Sequence, residues 1–203
     1  MKYLSTAVCA AAILAAGPAL AADNPAWTYG QAQYTSFTSG DDNADQWGID
    51  LSMGIADLYH VQVSYFDGDN GTDWDDDGTD NYDGWRLIAG VHPAISDRTD
   101  AVFNLRYTSV DTDHTNRDSS AWGLGAGLRH MLTDNFELAG MINWDRGDVD
   151  HDSDSDFTTT SWEVGGRYLF NNAVSAGLTY NDGSGWGASS LKLDVRYQFA
   201  DFF

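Results

Sequence analysis

Residues 46–56 read QWGIDLSMGIA, and in them Trp47, Ile49, Leu51, Met53 and Ile55 alternate with Gly48, Asp50, Ser52 and Gly54. A period of two puts successive side chains on opposite faces of an extended strand. One face of this strand is therefore apolar, and the other is small or charged. Residues 136–146 repeat the scheme, with Phe136, Leu138, Ile142 and Trp144 opposite Glu137, Asn143 and Asp145. Residues 191–199, LKLDVRYQF, alternate without a break.

Outward from these stretches the chain divides into ten alternating segments, none with a sustained helical period. They are 26–38, 46–56, 59–66, 82–92, 99–109, 120–130, 136–146, 158–170, 173–181 and 189–199. Short links at 57–58, 94–98, 132–135 and 171–172 alternate with long polar ones at 39–45, 67–81, 110–119, 147–157 and 182–188. Such a meander keeps all its long loops at one end, and with both termini at the other end the strand count must be even. The pattern predicts an all-β fold, a transmembrane up-and-down antiparallel barrel of ten strands, or of eight if two segments belong to loops.

The leader MKYLSTAVCAAAILAAGPALA has one basic residue, Lys2, an apolar run from Ala7 to Ala16, a Gly17-Pro18 break and small residues at Ala19 and Ala21. It reads as a signal peptide over 1–21, with the barrel domain over 22–203. Cys9, the single cysteine, falls in that leader, so the expected mature chain has no disulfide and no thiolate chemistry. Ten Lys and Arg against 31 Asp and Glu give a formal charge of −21, which argues against nucleic acid as a partner. The excess aspartate is concentrated in the long links, as in GDNGTDWDDDGTDN (67–80) and GDVDHDSDSD (147–156).

Alternation alone does not say whether the apolar face meets a protein core or hydrocarbon, and the aromatic residues decide it. Trp and Tyr favour the membrane interface, where the ring is half buried and its polar tip stays wet. Trp47, Tyr65, Trp85, Tyr107, Trp122, Trp144, Trp162 and Tyr180 lie near the long-loop end of the apolar face on successive strands. Phe136, Tyr168, Phe170, Tyr197 and Phe199 lie near its short-turn end. Two girdles around an aliphatic band describe a lipid-facing surface. The first segment has Tyr29 and Tyr34 on opposite faces and leaves its phase open.

The other face carries Asp50, Arg86, Arg106, Arg129, Glu137, Glu163, Arg167, Lys192, Asp194 and Arg196. A soluble core would have to bury these charges, whereas across a barrel lumen they can pair or stay hydrated. A soluble barrel with the aromatics inside is the alternative, and it leaves the girdles and the loop asymmetry unexplained. Gly123, Gly125 and Gly127 share the lumen face and are expected to leave room there.

With its alternating Leu191, Leu193, Val195, Tyr197 and Phe199, the stretch 191–199 resembles the C-terminal assembly signal of bacterial outer-membrane proteins. Here four residues, Ala200, Asp201, Phe202 and Phe203, follow Phe199. Through DGWRLIAGV (83–91), SDRTDAVFNLRY (96–107), WGLGAGLRH (122–130) and TDNFELAG (133–140) the chain also resembles small xanthomonad-type outer-membrane barrels. That resemblance implies an integral protein of the Gram-negative outer membrane with no catalytic site. Its partners would be outer-membrane lipid and lipopolysaccharide, and the assembly machinery through residues 191–199.

Asp73, Asp75, Asp77 and Gly78 match the opening of a calcium loop, in which alternate carboxylates converge on one ion. The twelfth position, however, is Gly84 rather than a bidentate glutamate. The reading is a solvated acidic loop with Asp73, Asp75 and Asp77 as a calcium candidate, and no cofactor beyond loosely held divalent cations. Asp148, Asp150, Asp152, Asp154 and Asp156 likewise suit a diffuse ion cloud. His60, His92 and His130 fall near the short turns, and His114 and His151 fall in long loops. No spacing joins any of them to a nucleophile, so an enzyme is not expected. The expected role is structural or surface-interacting, displaying acidic extracellular loops to an unspecified partner. A narrow passive pore for water, ions or small solutes is the alternative, and an outer-membrane hydrolase is a third reading.

Overall fold

The computed structural model describes residues 25–39, 42–69, 81–112, 118–149, 155–184 and 189–199. Its strands are β1 (Tyr29–Ser39), β2 (Asp42–Ile55), β3 (Tyr59–Asp69), β4 (Asn81–Val91), β5 (Ala94–Ser96), β6 (Thr99–Thr112), β7 (Ser119–Thr133), β8 (Phe136–Val149), β9 (Ser155–Leu169), β10 (Val174–Ser184) and β11 (Ser189–Gln198). All pairings are antiparallel between chain neighbours, except that β4 pairs with β6 past the three-residue β5, and β1 pairs with β11. The sheet thus closes as a barrel of ten long strands, and closure leaves no edge with unpaired backbone groups. Carried once round the ring, the registers accumulate a stagger of roughly 12 residues, which for ten strands corresponds to a tilt near 40°.

The strands reach further toward the long-loop end than the alternation indicates. β6, β8 and β9 run to Thr112, to Val149 and from Ser155, because ladder hydrogen bonds continue where the side chains no longer alternate. Over the expected long link at 39–45 the β1–β2 ladder continues, as far as Ser39 paired to Asp42. The first strand begins at Tyr29 rather than at residue 26, and the residues before it have another use. Turns at the other end are tight: Asn171 Oδ1 accepts from the backbone N–H of Ala173 and of Val174, both at 2.8 Å, and Ala56 holds a φ of 49°.

The faces divide as the alternation requires. Ile49, Leu51, Met53, Leu124, Ile142 and Leu193 are exposed on the outside, while Asp50, Ser52, Arg129, Glu137, Arg167, Asp194 and Arg196 are buried inside. β1 takes the phase with Tyr34 exposed and Tyr29 buried, and Tyr34 pairs with Trp47 in the ladder. Contacts between neighbouring strands join the outer aromatics. Ring centroids are 5.9 Å apart for Trp47–Tyr65, 5.2 Å for Trp85–Tyr107, 4.9 Å for Tyr107–Trp122 and 5.5 Å for Trp162–Tyr180.

Candidate functional site

Two connected voids occupy the lumen. The one nearer the short-turn end has a volume of about 210 Å³, and all ten charged residues expected there line it. The other, of about 470 Å³, lies toward the long-loop end among hydroxyl and amide side chains with Phe37 and Phe157. Asp50, Arg86, Arg106, Glu163 and Lys192 line both and form the waist between them.

Among the described residues three ion pairs are made within the lumen. Arg129 grips Glu137 through Nε–Oε1 at 3.0 Å and Nη2–Oε2 at 2.8 Å, the bidentate geometry that suits a guanidinium. Arg106 holds Asp145 in the same way, with Nε donating to Oδ1 at 2.6 Å and Nη2 paired to Oδ2. Arg167 Nη2 lies 2.7 Å from Asp194 Oδ1. The alternation puts Asp145 on the polar face with Glu137 and Asn143 but does not mark it as a member of the charge network, which its pairing with Arg106 makes it.

Gln31 is a second residue the sequence reading missed. Its Oε1 accepts from Arg167 Nη2 at 3.2 Å and from Arg196 Nε at 3.0 Å, and its Nε2 donates to Asp50 Oδ2 at 2.9 Å. A neutral amide thereby ties two cations and an anion into one network, in which each buried polar atom with a partner avoids the cost of lost hydration. Arg196 also stacks on Tyr29, with its guanidinium 3.6 Å from the ring centroid.

The glycines of β7 do not leave open room. A methyl group at Gly123 would collide with Asp145 Oδ1 and Arg106 Nε, and one at Gly127 with Met141 Sδ. These positions are glycine because long side chains from neighbouring strands lie across the bare backbone, so the expected space is filled.

The short-turn mouth holds the feature the sequence did not announce. Ahead of β1, residues 25–28 turn into the lumen. Trp27 stacks on His92 at 4.1 Å and on His60 at 4.4 Å, the two imidazoles lying 5.4 Å apart, and its Nε1 donates to Asp100 Oδ2 at 3.0 Å. Arg129 Nη1 donates to Ala26 O at 3.2 Å, and its guanidinium lies 4.3 Å over the Trp27 ring. Ser52 Oγ donates to Trp27 O at 2.8 Å. Since β7 stands across the ring from β1, this segment crosses the mouth and forms the floor of the inner chamber.

His60 Nε2 lies 3.0 Å from Asn104 Oδ1, and His92 Nε2 lies 3.1 Å from Tyr59 O. Both rings are thereby fixed against the indole. Asp73, Asp75 and Asp77, with His114 and His151, lie outside the described residues, among which no group of three or more potential ligands could hold a metal ion.

Residues 7–170 match the family model described as outer membrane protein beta-barrel domain. No curated protein sequence matches the chain. Among solved structures, the NanC porin is 8% identical over 84% of this chain and 100% of that chain, with a TM-score of 0.54. An outer membrane channel from Pseudomonas putida F1 is 10% identical over 91% of this chain and 97% of that one, with a TM-score of 0.52. Of a longer neighbour, Vibrio cholerae OmpT with loop L8 deleted, the chain spans 62%, at 12% identity over 83% of this chain and a TM-score of 0.41. At these identities the likeness speaks of fold alone.

Proposed function

Because the chain belongs to the outer membrane protein beta-barrel domain family, we propose that it is a non-enzymatic outer-membrane barrel whose lumen is shut at the periplasmic end and whose role is structural and surface-interacting. In such barrels the short turns and both termini face the periplasm and the long loops face outward. The observation that carries the reading is the segment ending in Trp27. It lies across the periplasmic mouth, held by Asp100, Arg129, His60, His92 and Ser52 from four long strands and the residue after β4. Paired charges and filled glycine positions above it add to the obstruction. Small barrels of about eight strands fill their interiors with side chains, while those of about sixteen leave a channel. Ten strands with an inserted segment fall on the filled side.

The test is planar-bilayer conductance of the refolded protein, with folding confirmed by the mobility shift of the unheated band. The expected result is silence from the intact mature chain and discrete current steps from a variant lacking residues 22–27. Salt-dependent steps from the intact chain would instead establish the passive pore.

A further inference from the structure

We propose that the waist of the lumen, lined by Asp50, Glu163, Arg86 and Lys192, binds a small zwitterionic solute such as a free amino acid or short peptide. Deeper in the lumen Arg129 and Arg167 each sit against a carboxylate, and at the waist itself Arg106 is taken up by Asp145. The other charges of the waist differ: besides Arg106, two acids and two bases face the junction of the two chambers, and among the described residues none of these four is in an ion pair.

The nearest hydrogen-bonded groups are neutral. Arg86 donates through Nε to Thr108 Oγ1 at 3.0 Å, and Asp50 accepts from Gln31. Asp50, Glu163, Arg86 and Lys192 line the same two chambers without forming an ion pair, so opposite charges are held apart rather than absent. Charges in a confined, low-dielectric setting that have no direct partner retain their attraction for a ligand. A solute of one sign gains from one pair of these groups and is repelled by the other, whereas a zwitterion is attracted by both.

Two further features favour the same class. Gln62, Asn143 and Thr179 also line both chambers and supply donors and acceptors of the kind a peptide or amino acid uses. The outer chamber, at about 470 Å³, is of the size that holds a small molecule. The chain's charge of −21 also opposes entry of a free anion but is nearly indifferent to a solute with no net charge. This inference stands whether or not the periplasmic mouth is shut.

The test is calorimetry on refolded, intact protein in low-salt buffer. The probes are glycine, diglycine and triglycine, against N-acetylglycine, which keeps only the carboxylate, and glycinamide, which keeps only the ammonium. At least one of the three zwitterions is expected to bind roughly tenfold more tightly than either single-charge probe. The double substitution Arg86→Gln and Lys192→Gln is expected to abolish that preference. Lys192→Gln alone, which breaks no hydrogen bond or ion pair given by the structure, is expected to weaken it and serves if the double variant does not fold. Absence of zwitterion binding to demonstrably folded protein overturns the proposal, as does equally tight binding of N-acetylglycine or glycinamide. Bilayer current bears only on the closed-mouth reading, so the two fail separately.

Discussion

Arg129 lies 4.3 Å over the ring of Trp27 while donating to the carbonyl of Ala26. One side chain on β7 thus fixes both the ring and the backbone of the segment that leads into β1 on the opposite wall. The same guanidinium is bound bidentately to Glu137, so the plug and the ion pair form one unit.

Replacing Arg129 with Met removes the partner of a buried carboxylate, and breaking a buried pair from one side costs about 3–5 kcal/mol. Arg129→Met is therefore expected to lower the urea midpoint of the folded band sharply. The double variant Arg129→Met with Glu137→Leu is expected to recover much of that loss, because no unpaired charge remains. A double variant as unstable as the single one would show that the Trp27 contacts, not the ion pair, dominate.

Gly123→Ala is expected to destabilise the barrel by about 1–3 kcal/mol, the usual range for overpacking, since its methyl group meets the Arg106–Asp145 pair. Gly140→Ala is the control. A Cβ there finds only Glu163 O at 3.7 Å, and the stability of the two variants against urea should separate clearly.

Ile142 is 64% exposed at the middle of the outer face of β8. Ile142→Arg is expected to cost about 2–4 kcal/mol in lipid, while Trp122→Arg in the outer aromatic belt should cost about 0–1 kcal/mol for the charge itself. Folding yields and unfolding midpoints in vesicles would measure the contrast. Equal penalties would place the hydrocarbon band elsewhere on the barrel.

At the turn between β2 and β3, Ala56 occupies the left-handed region with a φ of 49°, where a Cβ crowds the following carbonyl at a cost of about 1–2 kcal/mol. Ala56→Gly is expected to raise the unfolding midpoint by part of that amount, the gain being reduced by the greater freedom of glycine in the unfolded chain.

Much of the architecture was legible because a strand's side-chain period is two and lipid rewards one face uniformly. Trp47 to Ile55 and Leu191 to Phe199 carry that signal alone, and their faces in the structure follow it. The ten charges assigned inward all line the inner chamber. β1 was the exception: its polar members Gln31, Gln33 and Thr35 alternate with Ala32 and Tyr34, and two tyrosines on opposite faces obscured the phase. The ladder to β2 settles it, because Tyr34 stands opposite Trp47.

By itself, then, the sequence determined that this chain forms a closed antiparallel barrel with an aliphatic, aromatic-girdled exterior and a charged interior, since those properties depend on local alternation and on the solvent each face must meet. Which charges pair was decided only by the tertiary structure. Arg129 reaches Glu137 across a tight turn, but Arg106 reaches Asp145 across 39 positions, and that meeting depends on strand order and stagger, which no local pattern encodes. The course of residues 25–28 was decided in the same way. Read locally, Trp27 belongs to the first strand segment, 26–38. Inside the barrel it meets His60, His92, Asp100 and Arg129, groups that come together only once the ring has closed, and their combined stacking and hydrogen bonding draw the segment inward.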